Sequence, residues 1–503
     1  MPVESVAATT DCGRADAHAR RPALDGFGFG AGDCCTVERR RACARSLLAD
    51  GKPEHGADSH LRQQPAQSGD DRDRLAAGQS NVTVNMLSGA QLNVGSDAVV
   101  LGGGGAVNNN SGAIIQGTTG INSTGPLTIA NDGQISGTSG PGVVINGAGN
   151  STLNNTGTIN GSGTAVQFNT VAGSSQTFNN SGNGSINGNF VGSGDGAIVI
   201  TNSGNFNGGI TINGNGSNSI TTASGRSING LVSISGNSQN TIVNGGAFNN
   251  GLVISGAGSN DITNQAGAFI NQTFSVAGSQ NTITNAGTLN NGLTVGNGVN
   301  TITNQSGATI NQTFSVTGTQ NTITNFGTLN NGVTVSGTTV LTNNGSYFGA
   351  TTVNAGALIV IGSIANSPVK VNGGAALLGS GTVGSTVINS GGFLVPGSSP
   401  GTMTVSGNLA FQSGAFYIVQ LNPTTASTTN VSGTASLAGT VGAIFLPGSY
   451  LTRSYTILTA AGGVTGLFRR SSHSRIAGEF SAELELHWQY RDAQPHGAAR
   501  SRT

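Results

Sequence analysis

The four carboxylates between residues 80 and 465 are Asp97, Asp132, Asp195 and Asp261, and the cations of that span are Arg226, Lys370 and Arg453. Asp97 and Asp132 are the pair best spaced for chemistry. They are 35 residues apart, and if the chain coils about every 20 residues they stand roughly 8–10 Å apart on one face. That separation overlaps the carboxylate pairs that invert glycosidic bonds. Each also sits in a turn context, "GSDAV" and "ANDGQ", where Asp bonds its own backbone. No His, Cys, Glu or Trp accompanies them in the span, so neither a general acid–base partner nor a metal set is at hand. The sequence is therefore read as non-enzymatic, with no catalytic, cofactor-binding or metal residues and no cofactor.

The remaining reactive groups lie at the two ends. All 6 His, all 4 Cys and the single Trp fall in residues 1–79 or 469–503. Cys12, Cys34, Cys35 and Cys43 match no zinc spacing, and two adjacent Cys are poor tetrahedral co-ligands. Residues 1–79 show no helical or strand periodicity and no apolar stretch of signal-peptide length. They are read as an atypical charged leader, disordered or misassigned. Residues 469–503 break composition as abruptly and are read as an aberrant tail, also disordered. The "LGGGG" at 101–105 lacks the Gly-Lys-Ser/Thr ending of a phosphate loop. A formal net charge of zero leaves no electrostatic footprint for nucleic acid or an anionic membrane.

What would position such residues is a repeat. "NDITNQAGAFINQTFSVAGSQ" (260–280) returns as "NTITNQSGATINQTFSVTGTQ" (300–320), identical at 16 of 21 positions. The apolar residue of the "TIT" unit recurs at Ile220, Ile242, Ile262, Ile283, Ile302, Ile323 and Leu341, a period of about 20 residues. Short β-branched runs alternate with Asn-Gly, Asn-Asn and Ser-Gly turns, and no window has helical spacing. One or two inward residues per strand cannot fold alone, but stacked coils bury Ile on Ile. The expected fold is all-β, a parallel β-helix of about 20 residues per coil with three short sheets. Asn suits the corners through its tolerance of left-handed backbone, and stacked Asn amides form ladders. Low charge fits in-register stacking, because like charges in neighbouring strands repel. With Ile inward, Thr282/Thr284, Thr301/Thr303 and Thr322/Thr324 point outward, in rows interrupted by Val243, Asp261 and Val340. Such Thr-x-Thr rows are similar to the flat faces of ice-binding solenoids.

From residue 347 strands lengthen and become more apolar. The run "GTVGSTVINSGGFLVPGSSPGTMTVSGNL" (381–409) resembles the passenger-associated transport repeat of autotransporters, the type V secreted proteins of Gram-negative bacteria. Residues 414–468 look like the C-terminal part of such a passenger. The organisation expected is a leader (1–79), Asn/Thr/Gly-rich coils (80–346), a transport-repeat-like β-helix (347–410), a C-terminal passenger segment (411–468) and the tail (469–503). The resemblance implies a right-handed β-helix at the cell surface or secreted, carried out by a signal peptide and an outer-membrane β-barrel in cis. It implies an adhesive role toward host or bacterial glycans or neighbouring cells. No series of barrel-length alternating strands follows Phe468, so the barrel and the export address are expected to be missing from this sequence. The alternatives carried forward are a polysaccharide-acting β-helix, an ice-binding solenoid and a non-functional truncated or frame-disrupted product.

Overall fold

The computed structural model describes residues 75–397, 400–450 and 454–470. The four Cys, the six His and nearly all of the two expected end segments lie outside the described residues. The chain divides into two compact units, Met1–Gln312 and Thr313–Thr503, and each is described by itself. Among the described residues every regular element is a β-strand and none is a helix. The strands run parallel and stack as a β-solenoid, as the periodicity predicts.

In the first unit each coil contributes one strand to each of three sheets. The first sheet carries the "TIT" strands, among them Thr83–Met86, Leu127–Asn131, Asn218–Thr222 and Gln280–Asn285. The second sheet has short strands such as Gln134–Gly137 and Thr288–Leu289, and the third has strands such as Ile210–Asn213 and Leu252–Ser255. Alternation aims every second side chain inward. Register then stacks like on like: Ile200, Ile220, Ile242, Ile262, Ile283 and Ile302 form one column, each at most 2% exposed. Burying one such side chain is worth about 1.5–3 kcal/mol, and repetition in every coil is what offsets the low apolar content. Phe168, Phe178, Phe190 and Phe206 are fully buried in the core, with Phe178 and Phe190 stacked at 5.8 Å.

Two columns inside the core are polar. Asn109, Asn131, Asn155, Asn180 and Asn202 are each buried, and each of the first four donates its side-chain N–H to the amide oxygen of the next at 2.6–2.8 Å. Thr222 interrupts the column, and Asn244, Asn264, Asn285 and Asn304 resume it at 2.8 Å. The second column runs Asn218, Asn240, Asn260, Asn281 and Asn300. Because every donor points toward the later coil, the first amide of each column has no donor beneath it. The residues below are Met86 and Ile198. The carbonyl oxygens of Asn109 and Asn218, and the hydroxyl of Thr222, are accordingly among the buried polar atoms left without a partner.

The coil length varies where the repeat is loose. Ladder partners are 22, 24 and 25 residues apart between Asn109 and Asn180, and 19–21 apart between Asn244 and Asn304. The extra residues are absorbed in longer corners and in the strand Thr158–Thr170, whose register shifts between Asn160 and Val166.

One corner is reserved for glycine. Gly194, Gly214, Gly236 and Gly256 follow one another up the first unit, and a Cβ on each of the last three would lie 1.8–2.1 Å from the carbonyl oxygen of the glycine below. Gly236 also has φ +111, whereas Gly225, at φ +70, faces open space. We expect Gly236→Ala to destabilise the chain by about 3 kcal/mol and Gly225→Ala by about 1–2 kcal/mol, read from urea melts followed by far-UV circular dichroism. Equal effects would remove the contact explanation and leave only backbone conformation.

The second unit keeps the three-sheet pattern with longer strands. Thr351–Ile364 runs without a break through three pairings, with Val369–Val371, Ala375–Gly379 and Thr382–Val383. The segment that carries the transport-repeat resemblance forms the strands Thr382–Val383, Thr386–Ile388, Phe393–Pro396, Thr402–Val405 and Leu409–Phe411. Its apolar alternation becomes core: Val383, Ile388, Leu394, Met403, Val405 and Leu409 are each at most 1% exposed. Further along, buried Tyr417 clusters with Phe411 and Phe468, at ring distances of 5.4 and 5.6 Å, and the two Phe rings meet at 5.0 Å.

Candidate functional surface

The solenoid places the carboxylates at separate corners. Asp97 lies between the strands Gln91–Asn93 and Val99–Gly103, where its carboxylate accepts the Thr119 backbone N–H at 3.2 Å and Asn122 Nδ2 at 3.0 Å. Asp132 lies between Leu127–Asn131 and Gln134–Gly137 and accepts the Thr156 hydroxyl. One corner joins the second sheet to the third, the other the first to the second. The expected placement on one face therefore does not occur, because 35 residues is not a whole number of coils in this part of the chain. Asp195 accepts the backbone and side-chain N–H groups of Asn215 at 3.2 and 3.0 Å. All three tie a corner to the next coil, which is turn chemistry. Asp132 also borders a shallow open concavity with Gln134, Thr156 and Asn183. Among the described residues no three His, Cys, Asp or Glu side chains gather.

The surface instead offers repetition. On the first sheet Thr282 and Thr301 are exposed, and they pair in register beside Thr284 and Thr303. The row continues toward the amino end through Asp261, Thr241 and Ser219. In the looser coils Thr128, Thr152 and Thr177 hold the same outward position. Val199 and Ser219 stand between Thr177 and Thr241, so the row is Thr-rich in two stretches rather than continuous, and only the register shows which Thr of an irregular coil aligns. In the second unit Thr322 and Thr324 pair with Val340 and Thr342.

A second outward feature was not singled out from the sequence. On the second-sheet strands from Asn160 to Asn311 an Asn side chain donates to its equivalent one coil earlier. The chain of bonds runs Asn311, Asn290, Asn271, Asn249, Asn229, Asn207, Asn187 and Asn160, at 2.7–3.3 Å. From Asn187 to Asn290 the ladder uses one N–H and one carbonyl lone pair of each amide, and a primary amide has two of each. The signal was present as the recurring pair of an apolar residue followed by Asn: Ile186-Asn187, Phe206-Asn207, Ile228-Asn229, Phe248-Asn249.

These faces define a class of protein by form, a parallel β-solenoid presenting hydroxyl and amide rows with Asp261 as the one carboxylate among the row positions named. No protein-family model matches the sequence, and no curated protein matches it.

Proposed function

We propose that the chain is a non-catalytic, surface-displayed or secreted scaffold of the autotransporter-passenger kind, adhesive through its repeated outward rows. The observation that carries the reading is the in-register repetition of outward Thr and Asn in the first unit. Each such group makes at most a weak contact, but identical contacts repeated coil after coil add as avidity. Hydroxyl and amide groups, broken by the single carboxylate of Asp261, suit glycan chains on host or bacterial surfaces, or neighbouring cells. The transport-repeat resemblance of residues 381–409 supports export. The enzymatic alternative loses its main support with the separation of Asp97 and Asp132.

The test removes coils without breaking register. Asn260 and Asn300 occupy equivalent places in the buried column, so deleting residues 261–300 joins Asn260 to Thr301 across a native-like seam. The deletion variant is expected to fold and to bind immobilised neutral polysaccharide or cells several-fold more weakly than the full chain. Full binding by the deletion variant, or no binding by the full chain to any such surface, overturns the reading. The aligned Thr rows favour one second reading, an ice-binding face, and unaltered ice growth in the presence of the full chain removes it.

A further inference from the structure

Between residues 80 and 312 the sequence holds one basic residue, Arg226. It ends the corner that joins the first-sheet strand Asn218–Thr222 to the second-sheet strand Ser227–Ile228. Ser224 and Gly225 stand exposed at the tip of that corner, and Gly225 faces open space. The Arg226 side chain makes no hydrogen bond or ion pair among the described residues. Four other corners of the same length start from a buried ladder amide, that of Asn109, Asn180, Asn264 or Asn304. Asn264 and Asn304 also donate to the carbonyl oxygens of Ala268 and Ala308, at 3.3 and 3.5 Å. Those carbonyls are the counterparts of the Arg226 carbonyl, four residues beyond the start of the corner. Here the corner starts instead from Thr222, whose hydroxyl has no partner. Asn202, one coil earlier, reaches the Ser227 carbonyl at 3.4 Å. Among the described residues the Arg226 carbonyl accepts only the Ala247 N–H, at 2.8 Å. The arginine thus ends the corner that the amide column leaves untied.

We propose that the Arg226–Ser227 bond is a proteolytic processing site for a protease of trypsin-like specificity, which takes arginine on the acyl side of the bond it cuts. Exposed tips of this kind are where chains are nicked. The cut requires the corner to swing out into an extended form, a local opening, and the missing amide bonds lower the cost of that opening. Hydrolysis consumes one water: the C–N bond breaks, Arg226 keeps the new carboxylate and Ser227 the new amine. The two pieces stay together, because the coils on either side remain stacked. Ile220 still pairs with Ile242 and Ile210 with Val232, and Asn229 still donates to Asn207. Lys370 does not compete, since it lies inside the strand Val369–Val371, paired with Thr352 on one side and Val387 on the other. The processing is independent of the export and adhesion reading.

Limited digestion of the folded full chain with trypsin, read by mass spectrometry, is expected to cut after Arg226 before it cuts after Lys370. The pieces ending at Arg226 and starting at Ser227 are expected to co-elute in buffer and to separate in urea. Thr222→Asn restores the column and is expected to slow the cut about fivefold, as cleavage tracks the population of the open corner. If that variant loses the far-UV spectrum of the wild type, Arg226→Gln combined with Ala266→Arg decides. It moves the arginine to an exposed position in the amide-anchored corner after Asn264, where a cut about fivefold slower is again expected. Cleavage after Lys370 first, pieces that part in buffer, or a folded variant cut as fast as the wild type overturns the proposal.

Discussion

Replacing Asn285 by aspartate is expected to destabilise the first unit by about 3–5 kcal/mol, the cost of an uncompensated buried charge. Asn285 is fully buried and its side-chain N–H groups reach Asn304 Oδ1 at 2.8 Å, the Gly287 carbonyl at 3.2 Å and the Thr309 carbonyl at 3.2 Å. Its own oxygen accepts from Asn264 at 2.8 Å. Asp keeps the shape, removes the donors and sets a negative charge against three acceptors. Burial raises the carboxyl's folded-state pKa above its unfolded value. The folded chain then binds the extra proton, so stability recovers as pH falls toward the unfolded value near 4 and is lost as pH rises through the folded one. Urea melts at a series of pH values check both parts; a loss under 1 kcal/mol at neutral pH would mean the amides do not act as a ladder. Thr222→Asn runs the argument in reverse. It bridges Asn202 and Asn244, and a gain of about 1 kcal/mol is expected.

Tyr417→Ala is expected to cost the second unit about 3–5 kcal/mol, the usual loss for a large buried aromatic. The ring packs against both Phe411 and Phe468, and the hydroxyl bonds Thr429 Oγ1 at 3.0 Å and the Ile457 carbonyl oxygen. Tyr417→Phe isolates the hydroxyl and is expected to cost about 1–3 kcal/mol. A Phe variant as damaging as Ala would shift the weight from packing to the hydrogen bonds. The same burial pushes the phenols of Tyr417 and Tyr347 well above the ordinary tyrosine value of 10.0. The unfolded phenols ionise near pH 10 while the folded ones keep their protons. Stability is therefore complete below pH 10 and falls above it, by about 1.4 kcal/mol per pH unit for each phenol. Absorbance at alkaline pH should show these two of the 5 Tyr ionising only as the second unit unfolds.

The duplicated stretch at 260–320 shows why much of the fold was legible. A solenoid uses the same local rule in every coil, so a 20-residue period with alternating Ile and Val already dictates parallel stacking and the inward side. The outward Thr pairs at 282–284 and 301–303 follow from that alternation alone. Between residues 80 and 200 the rule is obscured, because coils of 22–25 residues keep their strands in register while their corners change length. Alternation says which side a residue faces, but it does not say which residue of an irregular neighbouring coil it meets.

That distinction separates what the chain's sequence determined from what its tertiary structure decided. Sequence alone fixed the all-β class, the coil as the unit of stacking and the poverty of reactive groups, because these rest on local period and composition. Tertiary structure decided which groups stand together: Asp97 and Asp132 at different corners, the Asn160–Asn311 ladder along one edge, and Arg226 at the corner where the buried amide column breaks. Each of these depends on the register between coils. Register is set by the sum of corner lengths, glycine contacts and buried amide ladders, and no single coil contains it.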